Sequence, residues 1–217
     1  WRGRMQMYEF EEQLLKEGFK LIAGTDEAGR GPLAGPVFAG AVILDPAYEI
    51  VGLDDSKKLS ADVRTYLAGE IKKHAIAYAV AMVSEAVIDK VNIYQASRIA
   101  MMDAIGKCRI KPDYVLSDAM PLPDVGVPWL AIVKGDAKSA SIAAASIMAK
   151  TARDEYMAKM DEKYPGYGFE HNMGYPTKEH LKALEILGVT PIHRKTYRPV
   201  REILEKQISF DFPEAKK

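Results

Sequence analysis

Short apolar segments of strand length alternate with longer amphipathic segments along most of this 217-residue chain. The apolar segments are residues 19–24, 37–44, 76–83, 114–118 and 129–133. Apolar residues recur at helical spacing in residues 8–18, 60–74, 93–107, 139–160 and 177–187. Strands that alternate with helices predict an α/β fold, in which helices cover the faces of one sheet.

Charge and composition restrict the class of protein. The 30 basic and 30 acidic side chains cancel to a formal net charge of zero, so the overall charge predicts neither a nucleic-acid nor a membrane partner. The longest apolar run is far shorter than the roughly 20 residues that a membrane-spanning helix needs. Cys108 is the only cysteine, and no secretory signal opens the chain, so we expect a cytoplasmic protein without a membrane role.

The sequence predicts three regions. Residues 1–18 form an amphipathic helix, and because the chain starts with Trp we expect this region to end a truncated N-terminal extension. Residues 19–162 contain the alternating strands and helices and form the core. From residue 163 the sequence becomes rich in Tyr, Gly and Pro and then helical, so residues 163–217 are predicted to form a C-terminal helical lobe.

Four acidic residues follow apolar segments. Asp26 and Glu27 come directly after one, Asp118 ends another and Asp136 follows a third. Side chains at the ends of neighbouring strands converge on one crevice of an α/β sheet, so we expect a compact acidic cluster. Carboxylates with almost no His or Cys nearby suit Mg²⁺ or Mn²⁺, and two such ions can promote hydrolysis of a phosphodiester. For the isolated pair, a solvated acidic turn is the alternative.

A glycine-rich segment, residues 29–36, follows the acidic pair. Its glycines leave backbone amides open to a ligand oxygen, and Arg30 can bind a phosphate, so Gly29, Arg30 and Gly31 are candidate substrate contacts. The segment matches neither a Walker loop nor a dinucleotide-binding loop. A tight turn explains the glycines equally well.

Two further positions are candidates for phosphate contacts, each with a structural alternative. Lys57 and Lys58 precede a predicted helix, where anions are often bound, but a solvated helix start accounts for a bare charge pair. Ser139 opens the long Ala-rich helix after Asp136, and capping of that helix is as good an interpretation as substrate binding.

The predicted lobe adds aromatic and basic residues. Four aromatic residues lie in its first part, of which three are expected to pack the lobe onto the core and one exposed ring to stack on a sugar or base: Tyr164, Tyr167, Phe169 and Tyr175. A basic run without an intervening acid fits contact with a phosphate backbone: Arg194, Lys195, Arg198 and Arg201. His193 is expected to be a packed surface residue rather than a catalytic one.

Six blocks of sequence together resemble the bacterial ribonuclease HII family, in the same order. They are 24–37 (GTDEAGRGPLAGPV), 55–59 (DSKKL), 117–119 (SDA), 134–138 (KGDAK), 141–144 (SIAA) and 174–180 (GYPTKEH). The resemblance extends over about residues 19–200. Each block alone is modest evidence, whereas six in register are highly specific.

The resemblance implies a ribonuclease H-like fold: a five-stranded mixed sheet flanked by helices, with a C-terminal helical extension. Residues 19–162 would then be the catalytic core. The four acids would be metal-binding catalytic carboxylates, and Gly29, Arg30 and Gly31 would recognise the 2′-hydroxyl of a ribonucleotide. Tyr175 would stack on the next deoxyribose, Lys57 would contact a phosphate, and Ser139 remains a candidate substrate contact.

The resemblance also implies an activity. The enzyme would hydrolyse the RNA strand of RNA–DNA hybrids and cleave on the 5′ side of ribonucleotides in duplex DNA, using two Mg²⁺ or Mn²⁺ ions. The products would carry 3′-hydroxyl and 5′-phosphate ends, and the role would be removal of misincorporated ribonucleotides and RNA primers. We expect a monomer, with a replication clamp as a candidate partner. The alternatives are an inactive nucleic-acid-binding protein of this fold and a resolvase-like nuclease that does not distinguish RNA from DNA.

Overall fold

The computed structural model describes residues 7–211, with side chains through residue 206. Residues 1–6 of the predicted N-terminal region and 212–217 of the predicted lobe lie outside the described residues. The helices are α1 (Glu9–Lys16), α2 (Ala61–His74), α3 (Glu85–Lys107), α4 (Ala140–Lys163), α5 (Phe169–Asn172), α6 (Lys178–Leu187) and α7 (Arg198–Asp211). The strands are β1 (Ile22–Ala28), β2 (Val37–Ile43), β3 (Ala77–Val83), β4 (Tyr114–Asp118) and β5 (Trp129–Ile132). A short 3₁₀ helix covers Gly135–Ala137.

The strands form one five-stranded mixed sheet, as the resemblance implied, and their order is β3-β2-β1-β4-β5. β1, β2 and β3 pair antiparallel, whereas β4 and β5 extend the sheet in parallel on the other side of β1. β1 is therefore the central strand, and its backbone is paired on both edges. On one face, α3 packs with the apolar side chains of β2 and β3; on the other, α2 and α4 pack against the sheet.

The predicted bounds of two elements were wrong. β1 begins three residues later and ends four residues later than residues 19–24, because its ladder with β2 continues to the Ala28–Phe38 pair. Asp26 and Glu27 therefore lie within the strand. α3 begins at Glu85 rather than residue 93, and a break at Asn92, with φ 70° and ψ 166°, separates its two parts. The spacing of apolar residues predicted only the part of the helix that follows this break, residues 93–107.

Glycines in the sheet let α4 approach closely. A Cβ at Gly24 of β1 would lie 2.0 Å from the carbonyl carbon of Ser141, and one at Gly40 of β2 would lie 2.2 Å from the carbonyl oxygen of Ala145. The alanines of α4 at 143–145 are completely buried, and their small side chains fit this close approach. The distance between α4 and the sheet is therefore set by main-chain contact.

The segments after α4 pack on its C-terminal half. Met157 of α4 forms an apolar cluster with Tyr167, Phe169 and Ile192, and the predicted boundary at 162 falls at the end of this helix. Tyr167 and Phe169 are buried with Tyr164 beside them, whereas the Tyr175 side chain is 45% exposed. Three of the four aromatic residues therefore pack the lobe and one ring is exposed, as the sequence predicted. None of the helices from residue 7 to 211 has the length and apolar composition to cross a bilayer.

Candidate active site

Three of the predicted acids meet at one edge of the sheet. Oxygens of Asp26, Asp118 and Asp136 all lie within 4.8 Å of one another. The parallel ladder pairs Thr25 of β1 with Ser117 of β4, so the next residues, Asp26 and Asp118, lie side by side. Asp136 belongs to the 3₁₀ helix that follows β5, the strand on the other side of β4.

Backbone contacts fix the carboxylates. The Gly135 amide donates to Asp118 Oδ1 at 2.7 Å, which ties the end of β4 to the turn that carries Asp136. Lys134, just before that turn, has a left-handed backbone conformation with φ 58°. The Glu27 amide donates to Asp26 Oδ1 at 2.7 Å. These bonds hold the acids close together despite their mutual repulsion.

The cluster is built to attract positive charge. Burial raises the pKa of Asp26 well above its ordinary value, and the carboxylates of Glu27 and Asp118 raise it further. Burial likewise raises the pKa of Asp136, with added repulsion from Asp118 and Asp55. A cation bound among these oxygens would relieve both the desolvation and the repulsion.

Glu27 lies beside this group and is not part of it. Its Oε1 accepts a hydrogen bond from Arg30 Nη1 at 3.1 Å. Its Oε2 is buried and has no hydrogen-bond partner among the described residues. Burial raises the pKa of Glu27, and Arg30 opposes that rise. The unpaired oxygen is therefore available to a cation in the same pocket.

These donors fit a hard divalent cation. All the candidate ligand atoms are carboxylate oxygens, which Mg²⁺ and Mn²⁺ prefer, and the described part of the cluster contains no thiol or imidazole. Asp26, Asp118 and Asp136 would hold the metal, with Glu27 Oε2 as a further ligand. The three aspartates were placed together correctly from the sequence, even though Asp26 is inside its strand.

The glycine-rich loop lies next to Tyr175. A Cβ at Gly31 would be 3.2 Å from Cε1 of the Tyr175 ring, so the ring covers this glycine. The Leu33 amide donates to the Gly174 carbonyl at 2.8 Å, which joins the loop to the segment that carries the tyrosine. Arg30, whose side chain is 47% exposed, lies between Glu27 and this junction. The predicted loop and ring thus form one surface beside the acids.

Lys57 and Lys58 differ in their surroundings. Lys58 Nζ donates to Asp54 Oδ1 at 3.0 Å. Burial alone would lower the pKa of Lys57, but the carboxylates of Asp136, Asp55 and Asp26 together raise it. Asp136 and Asp55 also raise the pKa of Lys58, but Lys57 is the lysine whose pKa is raised by Asp26 and Asp118 as well.

Ser139 does not offer the expected substrate contact. Its side chain is completely buried, caps α4 by accepting from the Ile142 amide at 3.3 Å, and donates to Glu11 Oε1 at 2.5 Å. Glu11, from α1, also accepts from the amide of Ser141 at 2.9 Å. The start of α4 is therefore occupied by a carboxylate of the chain itself. Nothing in the sequence pattern indicated this role for Glu11, which lies among other acids of an amphipathic helix.

The basic run does not form a single phosphate-binding surface. Arg194 is completely buried and donates to backbone carbonyls, so it cannot reach a nucleic-acid backbone, whereas Lys195, Arg198 and Arg201 are exposed. His193, expected at the surface, is 1% exposed. The pattern of charges gave no indication that this segment turns inward.

His193 forms a buried pair with His180. Their Nε2 atoms are 3.0 Å apart, and His180 Nδ1 donates to the Tyr175 carbonyl at 2.8 Å. The Thr190 amide lies 3.0 Å from His193 Nδ1, and since an amide only donates, that nitrogen is the acceptor. His193 Nε2–H then donates to unprotonated His180 Nε2. Both rings are neutral in this arrangement.

We expect His193 to stay neutral well below the ordinary histidine range. Burial, with His180 nearby, lowers its pKa to about 4. The unfolded chain therefore takes up this proton first as the pH falls from about 6.5, so neutral His193 loses a stabilising contribution of about 3 kcal/mol between pH 6.5 and 4. An NMR titration of the imidazole protons, assigned with His193→Gln, measures this pKa. Titration of His193 near 6.5 would contradict the arrangement.

Comparison with known proteins identifies close relatives. The family described as Ribonuclease HII matches residues 23–200. A ribonuclease HII of Enterococcus faecalis is 52% identical over 204 residues, which are 94% of this chain and 80% of the relative. A ribonuclease HII of Bacillus mycoides is 50% identical over 202 residues, 93% of this chain and 78% of the relative.

Solved structures agree with the sequence comparison. The ribonuclease H2 of Pyrococcus horikoshii has a TM-score of 0.74 at 28% identity, over 86% of this chain and 98% of that one. The ribonuclease HII of Archaeoglobus fulgidus, solved in complex with PCNA, has a TM-score of 0.72 at 27% identity, over 84% of this chain and 96% of that one. The family match includes the four acids, the glycine-rich loop and Tyr175.

Proposed function

This chain belongs to the ribonuclease HII family, and we propose that it cleaves on the 5′ side of single ribonucleotides embedded in duplex DNA as well as within RNA–DNA hybrids. Membership makes it a ribonuclease H, a hydrolase of phosphodiester bonds. The observation that supports the finer proposal is the position of the three-aspartate cluster beside the loop and ring formed by Gly31 and Tyr175.

The acids act by holding metal rather than as general bases. Asp26, Asp118, Asp136 and Glu27 would hold two Mg²⁺ or Mn²⁺ ions, which supply activation of water and stabilisation of the leaving oxygen. Attack of water on phosphorus breaks its bond to the 3′ oxygen. The upstream strand then ends in a 3′-hydroxyl and the ribonucleotide keeps its 5′-phosphate. The Lys57 ammonium, whose charge the nearby acids favour, would bind a neighbouring phosphate.

The glycine-rich loop and the Tyr175 ring would recognise the sugar. The 2′-hydroxyl is the group that distinguishes RNA from DNA, and it can both donate and accept a hydrogen bond. Main-chain groups of Gly29, Arg30 and Gly31 would contact this hydroxyl, because the glycines allow close approach. The exposed Tyr175 ring would stack on the following deoxyribose and exclude a second 2′-hydroxyl. A role in removing misincorporated ribonucleotides and RNA primers follows.

A duplex with one ribonucleotide tests the proposal directly. We expect a single cut on its 5′ side with Mg²⁺ or Mn²⁺, none with a chelator, and none in the all-DNA duplex. Cutting of both duplexes would favour a resolvase-like nuclease. Binding without any cutting would favour an inactive nucleic-acid-binding protein.

Partners and oligomeric state are tested separately. We propose a monomer in solution, which light scattering after size exclusion measures. The Archaeoglobus relative was solved with PCNA, so a replication clamp is the matching candidate partner for this chain. Co-elution of the full chain with a purified clamp would support this partner, and separate elution at micromolar concentrations would exclude it.

Replacement of Tyr175 by Ala should remove the preference for a junction. Without the ring, a second 2′-hydroxyl no longer clashes, so the ratio of cleavage at a DNA–RNA junction to cleavage within a hybrid should approach one. Loss of the contact between the ring and the sugar should also weaken binding. Tyr175→Phe is the matched control and should retain the preference, because stacking survives. An Ala variant with unchanged preference would remove Tyr175 from the site.

A further inference from the structure

We propose that Arg194 is a positioning residue that orients the glycine-rich loop, residues 29–36. It binds the carbonyls of Gly29 and Arg30, and as a result the backbone amides of Arg30 and Gly31 face the substrate. This inference rests on the proposed function and assigns a role to a residue outside the metal site. Arg194 itself is completely buried and cannot touch nucleic acid.

Arg194 donates five hydrogen bonds from its guanidinium. Nη2 donates to the Gly29 carbonyl at 2.6 Å and Nη1 to the Arg30 carbonyl at 2.9 Å. Nε and Nη2 both donate to the Gly35 carbonyl, at 2.9 and 2.7 Å. Nη1 also donates to the Tyr197 hydroxyl at 3.0 Å, and that hydroxyl donates to the Arg30 carbonyl at 2.8 Å. All five N–H groups of the side chain therefore donate either to carbonyls of the loop or to the Tyr197 hydroxyl.

The direction of these carbonyls fixes the direction of the amides. In a trans peptide unit the C=O and N–H groups point in opposite directions. The Gly29 and Arg30 carbonyls point inward to Arg194, so the amides of Arg30 and Gly31 point outward. Neither amide donates a hydrogen bond within the described part of the chain. Two consecutive free amides on one side form a concave donor site for an oxygen atom.

A buried guanidinium is a costly way to hold a loop, which argues for a specific role. Arg194 has no carboxylate within ion-pair distance among the described residues and is satisfied by carbonyl and hydroxyl oxygens. A lysine has three donors on one nitrogen and cannot reach three separate carbonyls in fixed directions. The planar fork of arginine suits simultaneous contact with Gly29, Arg30 and Gly35.

The same segment also positions the tyrosine. The Arg194 amide donates to the Leu33 carbonyl at 2.8 Å, and the Leu33 amide donates to Gly174, the residue before Tyr175. His193, next to Arg194, pairs with His180, which donates to the Tyr175 carbonyl. His193 and Arg194 therefore set the distance between the loop amides and the Tyr175 ring. In the proposed function these two groups contact two successive sugars.

The test compares Arg194→Lys with the wild type on the one-ribonucleotide duplex. We expect kcat/KM to fall about 100-fold, because misplacement of a recognition group by about 1 Å has that effect. Mn²⁺ affinity, measured by calorimetry without substrate, should stay within about twofold because the acids are not touched. ¹⁵N relaxation should show the Arg30 and Gly31 amides changing from rigid, with order parameters of about 0.85, to flexible, below about 0.6.

Arg109→Lys is the matched control. Arg109 also donates to a backbone carbonyl, that of Ile76, but is exposed and remote from the loop. This variant should match the wild type in all three measurements. Wild-type kinetics and rigid amides in Arg194→Lys would overturn the proposal. An equal loss of Mn²⁺ affinity and activity would also overturn it, since that pattern indicates general disruption.

Tyr197→Phe decides the matter if Arg194→Lys does not fold. It removes the hydroxyl that donates to the Arg30 carbonyl and accepts from Arg194 Nη1 without another change of shape, so kcat/KM should fall at least about fivefold, the effect of one hydrogen bond of about 1 kcal/mol. Unchanged kcat/KM in this variant would then overturn the proposal. If the wild type does not cut at the ribonucleotide, the proposed function fails, and the amide order parameters still test the positioning role.

Discussion

Asp118→Asn is expected to abolish cleavage and, in the metal-free state, to make the protein more stable. Asparagine keeps the oxygen that accepts from the Gly135 amide, so the turn that carries Asp136 should stay in place. The change removes one negative charge from the metal site, and cleavage of the one-ribonucleotide duplex should fall by about 10³-fold or more. Hybrid binding should persist.

The stability gain has a separate cause. The Asp118 carboxylate raises the pKa of both Asp26 and Asp136 by repulsion. Removal of that charge should raise the free energy of unfolding of the metal-free protein by about 1 kcal/mol, measured by urea denaturation with chelator at pH 7. Added Mg²⁺ should stabilise the wild type more than the variant.

Asp103→Asn is the control for this variant. Asp103 is exposed on α3, away from the acids, so the same change there should alter neither activity nor stability measurably. Retained cleavage in Asp118→Asn would refute the metal-site assignment. A loss of stability without chelator dependence would show that Asp118 has a structural role instead.

Gly24→Ala is expected to destabilise the fold severely. The new methyl group would lie 2.0 Å from the Ser141 carbonyl carbon and 2.3 Å from the Ile142 amide nitrogen. Both are main-chain atoms at the start of α4, so the helix must move away from β1. We expect a loss of about 3 kcal/mol or more in the free energy of unfolding, at the upper end for overpacked sites. Activity should fall too, because α4 follows the turn that carries Asp136.

Gly69→Ala provides the control for that change. Gly69 lies within α2, and a Cβ there would meet no heavy atom within 4 Å. Alanine is the better helix former, so this variant should gain about 0.5–1 kcal/mol. Chemical denaturation of both variants beside the wild type measures the difference. Similar stabilities for the two variants would mean that α4 is not in main-chain contact with the sheet.

The α/β class and the meeting of the three aspartates could be predicted because they depend on patterns along the chain. Apolar runs revealed the strands, and the positions of Asp26, Asp118 and Asp136 after three of those runs revealed the cluster. The five-stranded mixed sheet was implied by the family resemblance, whereas the order and direction of its strands were not predicted, since periodicity does not specify which strands pair. The end of β1 was missed because pairing on both edges extends a strand beyond its apolar residues.

The roles of Glu11 and Arg194 could not be predicted for a different reason. Both are charged residues in surroundings that look solvated in sequence, and both are buried by contacts with segments far away along the chain. Glu11 meets Ser139 across 128 positions and Arg194 meets Gly29 across 165. Patterns of neighbouring residues carry no information on such contacts. The same limit applies to Ser139, whose capping and substrate-binding interpretations were equally compatible with the sequence.

The use of main-chain groups in the glycine-rich loop has a consequence for the range of nucleotides that the enzyme can process. In the proposed function its contacts to the sugar would come from main-chain groups of Gly29, Arg30 and Gly31, while the Arg30 side chain is directed to Glu27 and the glycines carry no side chain that could read a base edge. A loop of this kind would not discriminate whether the sugar carries adenine, cytosine, guanine or uracil. If the proposed function holds, such an enzyme would act in every sequence context alike, and the pattern of its cuts would report where ribonucleotides lie in the DNA.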